Sequence, residues 1–153
     1  MNPPDPILEE LLAKLEPPYK SKGESQIGRL LDRYGIPFFY EQPLLVWDRG
    51  RNRIWHPDFS LLDYAGLILE YAGMPDKSEY RAGIRHKRRV YKQNAIPALF
   101  IHPNDLQGPD WPAKLYHRIQ AIYREIQQGN PVYTKPIEEY TSGHIQPGKQ
   151  FYG

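Results

Sequence analysis

Apolar residues in this chain recur at three- and four-residue intervals in four stretches and gather into short runs in four others. That alternation sets out the elements. Residues 7–16 carry the helical spacing and stop at Pro17-Pro18, which predicts a short amphipathic helix. The Lys/Gly/Ser-rich stretch 20–23 sets it apart, so residues 1–22 read as an N-terminal helical arm. Ile27, Leu30, Leu31 and Tyr34 predict a second helix over about 24–34, closed by Gly35. Residues 37–47 read as a strand, 48–52 as a hairpin turn and 53–62 as a second strand. A third strand over 67–72 follows the turn at 63–66. A helix over 77–93, a buried strand over 98–101 and a last helix over 112–128 complete the pattern. Helix, three antiparallel strands, helix, strand, helix implies an α/β (α+β) fold, with a mixed sheet flanked by helices, over residues 23–128. Residues 129–153 are rich in Pro, Gly and Tyr without periodicity, and are expected to form an extended tail.

Three residues stand out against this pattern. Strand alternation puts Ile54, His56, Asp58 and Ser60 on one face of the second strand, and Ile68, Glu70 and Ala72 on one face of the third. Paired through the turn, Asp58 and Glu70 come side by side, where they repel unless a divalent cation holds them. The plainer alternative makes both solvent-facing, but Glu70 interrupts a run that is otherwise apolar. On the helix over 77–93, Tyr80, Ile84, Lys87 and Tyr91 lie within about 40° of one another at ~100° per residue. A lysine on that stripe either snorkels to the rim or meets carboxylates. Glu24 points with the core stripe of its helix. It is either a third acidic group or a helix N-terminal charge with Ser21 as cap. His56 either orients water or contacts phosphate, or is structural. Glu41 either supports the site or faces solvent.

Composition narrows the chemistry. There are no cysteines among the 153 residues, which excludes disulfides, thiolate zinc sites and cysteine nucleophiles. A hydrophobic share of 40% with 13% aromatics argues for a folded core. The net charge of +2 means that any nucleic-acid reading rests on where charge sits. Between Glu79 and Asp105 the charged side chains are all basic: Arg81, Arg85, Lys87, Arg88, Arg89 and Lys92, with His86 among them. Arg49, Arg51 and Arg53 form a second cluster at the hairpin. One sign along a helix that carries the candidate site suits a phosphate backbone and suggests DNA as partner; a solvated face is the alternative. Without a signal-like N-terminus or an apolar run of ~18 residues, a cytoplasmic protein with no membrane partner is expected.

Taken together, these residues resemble the PD-(D/E)xK nuclease superfamily, the restriction-endonuclease-like proteins. Pro57-Asp58 matches its PD, Glu70 matches the acidic residue of (D/E)xK, and residues 23–102 match its α-β-β-β-α-β core order. The chain departs from the pattern at Ala72, where lysine is expected. Glu70-Tyr71-Ala72-Gly73 followed by Tyr80, Lys87 and Tyr91 is similar to a variant that moves the lysine to the next helix. The resemblance implies an endonuclease dependent on Mg²⁺ or Mn²⁺, with Asp58, Glu70 and the Tyr71 carbonyl on the metal and Lys87 beside them. Glu24 would be the acidic residue of the first core helix, and His56, Tyr80 and Tyr91 would surround the site. Arg81, Arg85, Arg88, Arg89, Lys92, Arg49 and Arg51 would meet DNA. Cutting two strands usually takes two sites, which makes a homodimer plausible. A nuclease fold that binds DNA without cleaving it and a protein-interaction module are the alternatives.

Overall fold

The structure, a computed structural model, describes residues 5–74 and 76–130. Its helices are α1 (Pro6–Leu15), α2 (Lys22–Arg33), α3 (Ser78–Gln93) and α4 (Trp111–Gln127). Its strands are β1 (Phe39–Tyr40), β2 (Leu44–Asp48), β3 (Arg51–Trp55), β4 (Phe59–Leu61), β5 (Leu67–Tyr71) and β6 (Ala98–Ile101). The class is the expected mixed α/β one: a four-stranded sheet in the order β1-β4-β5-β6, and a separate ribbon of β2 and β3. β1, β4 and β5 pair antiparallel, and β6 returns parallel to β5 after the α3 crossover. Most of the expected tail, residues 131–153, lies outside the described residues.

Two expected strands are each broken in two. Residues 37–47 give β1 and β2, parted at Glu41 (φ 54°), Gln42 and Pro43; residues 53–62 give β3 and β4, parted at 56–58. Both breaks contain a proline, which has no N–H to give to a ladder. The expected common face of Ile54, His56, Asp58 and Ser60 therefore does not exist, because the chain passes from ribbon to sheet between Trp55 and Phe59. The hairpin turn stands where expected. Arg49 (φ 53°) and Gly50 (φ 75°) both adopt positive φ, as a two-residue type I′ turn requires.

The sheet is buried on both faces. Leu67, Leu69, Phe59 and Leu61 pack with Ile27 and Leu31 of α2 and with Leu115, Ile119 and Ile122 of α4. On the other face Ile68, Ala72, Ala98 and Phe100 pack with Ile84 and Tyr91 of α3, and Leu44 and Trp55 of the ribbon close over them. α2 is set tightly against this sandwich. A side chain at Gly28 would run into the Tyr19 phenol, whose ring packs on Tyr40 at 5.0 Å. α1 leaves Ile7, Leu8, Leu11 and Leu15 exposed. Among the described residues, no helix is long and apolar enough to cross a membrane.

Candidate active site

β5 presents Glu70 on the face that α3 covers, and the side chain is only 2% exposed. The β4–β5 register pairs Phe59 with Leu69, so Asp58, just ahead of β4, falls opposite Glu70. Each carboxylate is oriented by a backbone N–H from the other's segment. The Asp58 N–H donates to Glu70 Oε1 at 2.9 Å, and the Tyr71 N–H donates to Asp58 Oδ2 at 2.7 Å. Lys87 reaches across from α3 and donates from Nζ to Glu70 Oε2 at 2.7 Å. The sequence-predicted trio of Asp58, Glu70 and Lys87 is thus brought together, although Asp58 comes from a strand break.

Electrostatics set Asp58 and Lys87 apart. Burial first, then the Glu70 charge, pushes the Asp58 carboxyl up to about 7, against the opposing pull of the Tyr71 N–H and Lys87. For Lys87 burial disfavours the charge, but the Glu70 and then Asp58 carboxylates outweigh it and raise the pKa. Lys87 is therefore a fixed ammonium, suited to stabilising charge and unsuited to taking up a proton near neutrality. Tyr91, 1% exposed, is turned to the same pair; burial, then Glu70 and Asp58, raises its pKa and keeps the phenol protonated. Tyr80 bridges the turn after β5: its hydroxyl donates to the Tyr71 carbonyl at 3.2 Å and accepts the Gly73 N–H at 3.0 Å.

Glu24 stands as the N-terminal charge of α2, and among the described residues it forms no metal-holding group with Asp58 and Glu70. Its N–H donates to the Ser21 hydroxyl at 3.1 Å, so Ser21 caps α2, while its buried carboxylate adds to the upward push on Asp58. The Tyr40 hydroxyl, which sequence reasoning passed over, holds Glu24 Oε1 at 2.6 Å. Glu41 supports the site through its backbone, with its N–H donating to the Asp58 carbonyl at 3.1 Å. Its own carbonyl accepts from His56 Nδ1 at 3.1 Å. Because a carbonyl only accepts, the proton is on Nδ1 and a neutral His56 has Nε2 as its acceptor. His56, Ile54, Trp55, Pro57, Glu70, Lys87 and Tyr91 line an open cleft of about 290 Å³.

Among the described residues, no group of three or more His, Cys, Asp or Glu side chains is placed to hold a metal ion. Mg²⁺ needs less than that, since it keeps several waters and commonly takes only one or two carboxylates. Asp58 and Glu70, joined by the Tyr71 carbonyl, would supply such a set of hard oxygen donors, and the residues present fit it.

The basic residues divide by face. Arg81, Arg85 and Arg89 are exposed along α3, as are Arg49 and Arg51 on the hairpin. Arg88 turns inward, its guanidinium 5.1 Å above the Phe100 ring, and Lys92 is half-buried. Arg53 approaches the buried Asp48 at 3.6 Å, and His86 Nε2 lies 2.9 Å from the same carboxylate. This Asp48–His86 contact fastens ribbon to helix and had no signal in spacing, since Asp48 reads as an ordinary turn residue. No family model matches the chain, and no curated protein matches it. Its chemistry rests on the geometry of these residues.

Proposed function

We propose that the chain is a DNA endonuclease of the PD-(D/E)xK kind, dependent on Mg²⁺ or Mn²⁺, with its lysine supplied by the helix after β5. The observation that carries the reading is the Lys87 ammonium 2.7 Å from Glu70, which itself lies back to back with Asp58 at an open cleft. Asp58, Glu70 and the Tyr71 carbonyl would hold the metal, which when bound supplies Lewis acidity and a water of lowered pKa. Lys87 places a compact positive charge where negative charge develops on the phosphoryl oxygens. Tyr80 and Tyr91 fix the turn and the floor around it. Arg81, Arg85 and Arg89 set a row of cations along α3 for the phosphate backbone.

A second reading, a DNA-binding module that does not cleave, draws on one observation: both Glu70 oxygens already have donors, Asp58 N–H and Lys87. Incubation with linear, single-stranded and branched DNA plus Mg²⁺ or Mn²⁺ separates the two. Cleavage should appear only with the metal, vanish in Asp58→Asn and Glu70→Gln, and fall by about 10²-fold in Lys87→Ala, with DNA affinity kept. Binding without cleavage under every metal condition would establish the second reading.

A further inference from the structure

The β2–β3 ribbon has two unlike faces. Cross-strand pairing places Leu45 opposite Ile54 and Trp47 opposite Asn52, so these four share the outer face. Leu45, Trp47 and Ile54 are exposed by 63%, 54% and 64% there, an apolar surface on a ribbon too small to bury it. The tip is charged, whereas on the other face Leu44, Val46 and Trp55 turn to the core and Arg51 and Arg53 lie exposed beside them. Arg51 pairs with Asp48, Arg53 pairs with Val46, and Arg49 sits in the turn.

Trp47 is not exposed through slackness. Its backbone is clamped on both sides by Asn94 at the C-terminus of α3: the Trp47 N–H donates to Asn94 Oδ1 at 2.8 Å, and Asn94 Nδ2 donates to the Trp47 carbonyl at 2.9 Å. The Asp48–His86 contact pins the next residue to the same helix. An indole held out on a fixed backbone loses little freedom when something stacks on it. The apolar face also runs into the candidate site, because Ile54 belongs both to it and to the lining of the catalytic cleft.

We propose that the ribbon is a wedge for DNA whose strands have parted, at a fork, flap or branch. Trp47, with Leu45 and Ile54 beside it, stacks on the unpaired base, and the arginine side follows the backbone toward Asp58 and Glu70. The charge pattern favours DNA over a second copy of the chain. Arg49, Arg51 and Arg53 are all exposed on the same ribbon as the apolar face, and DNA supplies the opposite charge to meet them. Base stacking on an aromatic is indifferent to sequence, so the selectivity is for strand geometry. From Asn52, opposite Trp47, β3 runs to Trp55 at the cleft, three residues or ~10 Å. That span sets the cut about three nucleotides from the fork at ~3.4 Å per stacked step. The proposal deepens the nuclease reading by naming its substrate and rests on that reading for the cut, not for binding.

The test measures binding by fluorescence anisotropy in chelator, where no cleavage occurs, to a forked duplex and to a blunt duplex of the same sequence. Wild type should prefer the fork by about tenfold. Trp47→Ala should remove that preference and leave blunt-duplex affinity within about twofold, while Trp47→Phe should keep most of it. Equal affinity of wild type for both DNAs would overturn the proposal, as would a Trp47→Ala loss equal on both. So would a wild-type dimer in ultracentrifugation that Trp47→Ala converts to monomer, because a second copy would then cover the face. Fork preference with no cleavage under any metal would sustain the wedge and refute the nuclease; cleavage without fork preference would do the reverse.

Discussion

Asp58 should cost this protein stability at neutral pH, and the cost should disappear when a divalent cation binds. An unfolded Asp58 releases its proton near the ordinary aspartate value of 3.8, whereas in the fold burial and Glu70 hold that proton until about 7. Between those values the folded state carries more protons than the unfolded one, so stability falls as pH rises from about 4 to 7 and then levels. A shift from 3.8 to about 7 corresponds to about 4 kcal/mol at ~1.36 kcal/mol per unit, as a ceiling. Asp58 is partly exposed, and solvent screening brings the expected effect nearer ~2 kcal/mol. Asp58→Asn keeps an oxygen for the Tyr71 N–H and removes the charge, so it isolates this effect from every other titrating group. The variant should match wild type at pH 4 and exceed it by ~2 kcal/mol at pH 8, roughly 4–8 °C in Tm for a chain of this size. Mn²⁺ at ~100 times its Kd should stabilise wild type by about 2.7 kcal/mol at pH 8 and leave Asp58→Asn almost unmoved. Thermal melts across pH 4–8 with and without Mn²⁺ read both effects. A difference between variant and wild type that stays flat across that range, or equal stabilisation of both by Mn²⁺, would refute the paired-carboxylate site.

In the cleavage assay that tests Lys87→Ala, Lys87→Arg should recover little turnover, because a planar guanidinium does not occupy the compact position of the ammonium beside Glu70. Arg85→Ala with Arg89→Ala should weaken DNA binding and flatten its salt dependence by roughly one log–log unit for each phosphate that is no longer neutralised; an unchanged slope would place those arginines away from DNA. Gly28→Ala offers a test of sign. Helix propensity alone would gain ~1 kcal/mol, whereas the collision of a new Cβ with the Tyr19 phenol should turn this into a loss of about 1–3 kcal/mol in denaturant unfolding.

The parts of the fold legible in the sequence were those written in periodicity. The helices, the apolar run of β5 broken by Glu70, and the Arg49-Gly50 turn all stand where spacing places them. So does the stripe of Tyr80, Ile84, Lys87 and Tyr91, because its angular positions fix which side chains meet the sheet. What alternation did not convey was the breaking of two strands. Pro43 and Pro57 each mark such a break, yet prolines also sit at strand ends without one, so the signal was present but not decisive. Asp58 kept its predicted neighbour in spite of the break, because the β4–β5 register alone sets it opposite Glu70. The contacts of Tyr40 with Glu24, of Asp48 with His86 and of Asn94 with Trp47 join residues 16, 38 and 47 positions apart. No local pattern carries pairings at that range, since they arise only once the sheet and helices have packed.

The departure at Ala72 and the lysine at 87 are two sides of one packing arrangement. Ala72 lies on the same face of the sheet as Ile68, is 1% exposed, and packs in the cluster that holds Ile84 and Tyr91 of α3. A lysine there would thrust a long charged chain into the space α3 fills, at the cost of overpacking and of burying an ammonium. With alanine in place, α3 settles close enough that Lys87, three residues past Ile84 and four before Tyr91, reaches Glu70 directly. The amine then depends on the docking of a helix rather than on the pleat of a strand. That docking is tied down by Tyr80, which grips both the Tyr71 carbonyl and the Gly73 N–H, and by Tyr91, which is buried beneath the pair. Glycine at 73 belongs to the same arrangement, since a Cβ there would press on the Tyr71 ring whose backbone orients Asp58. The small residues at 72 and 73 and the tyrosines at 80 and 91 therefore set where the charge of Lys87 falls.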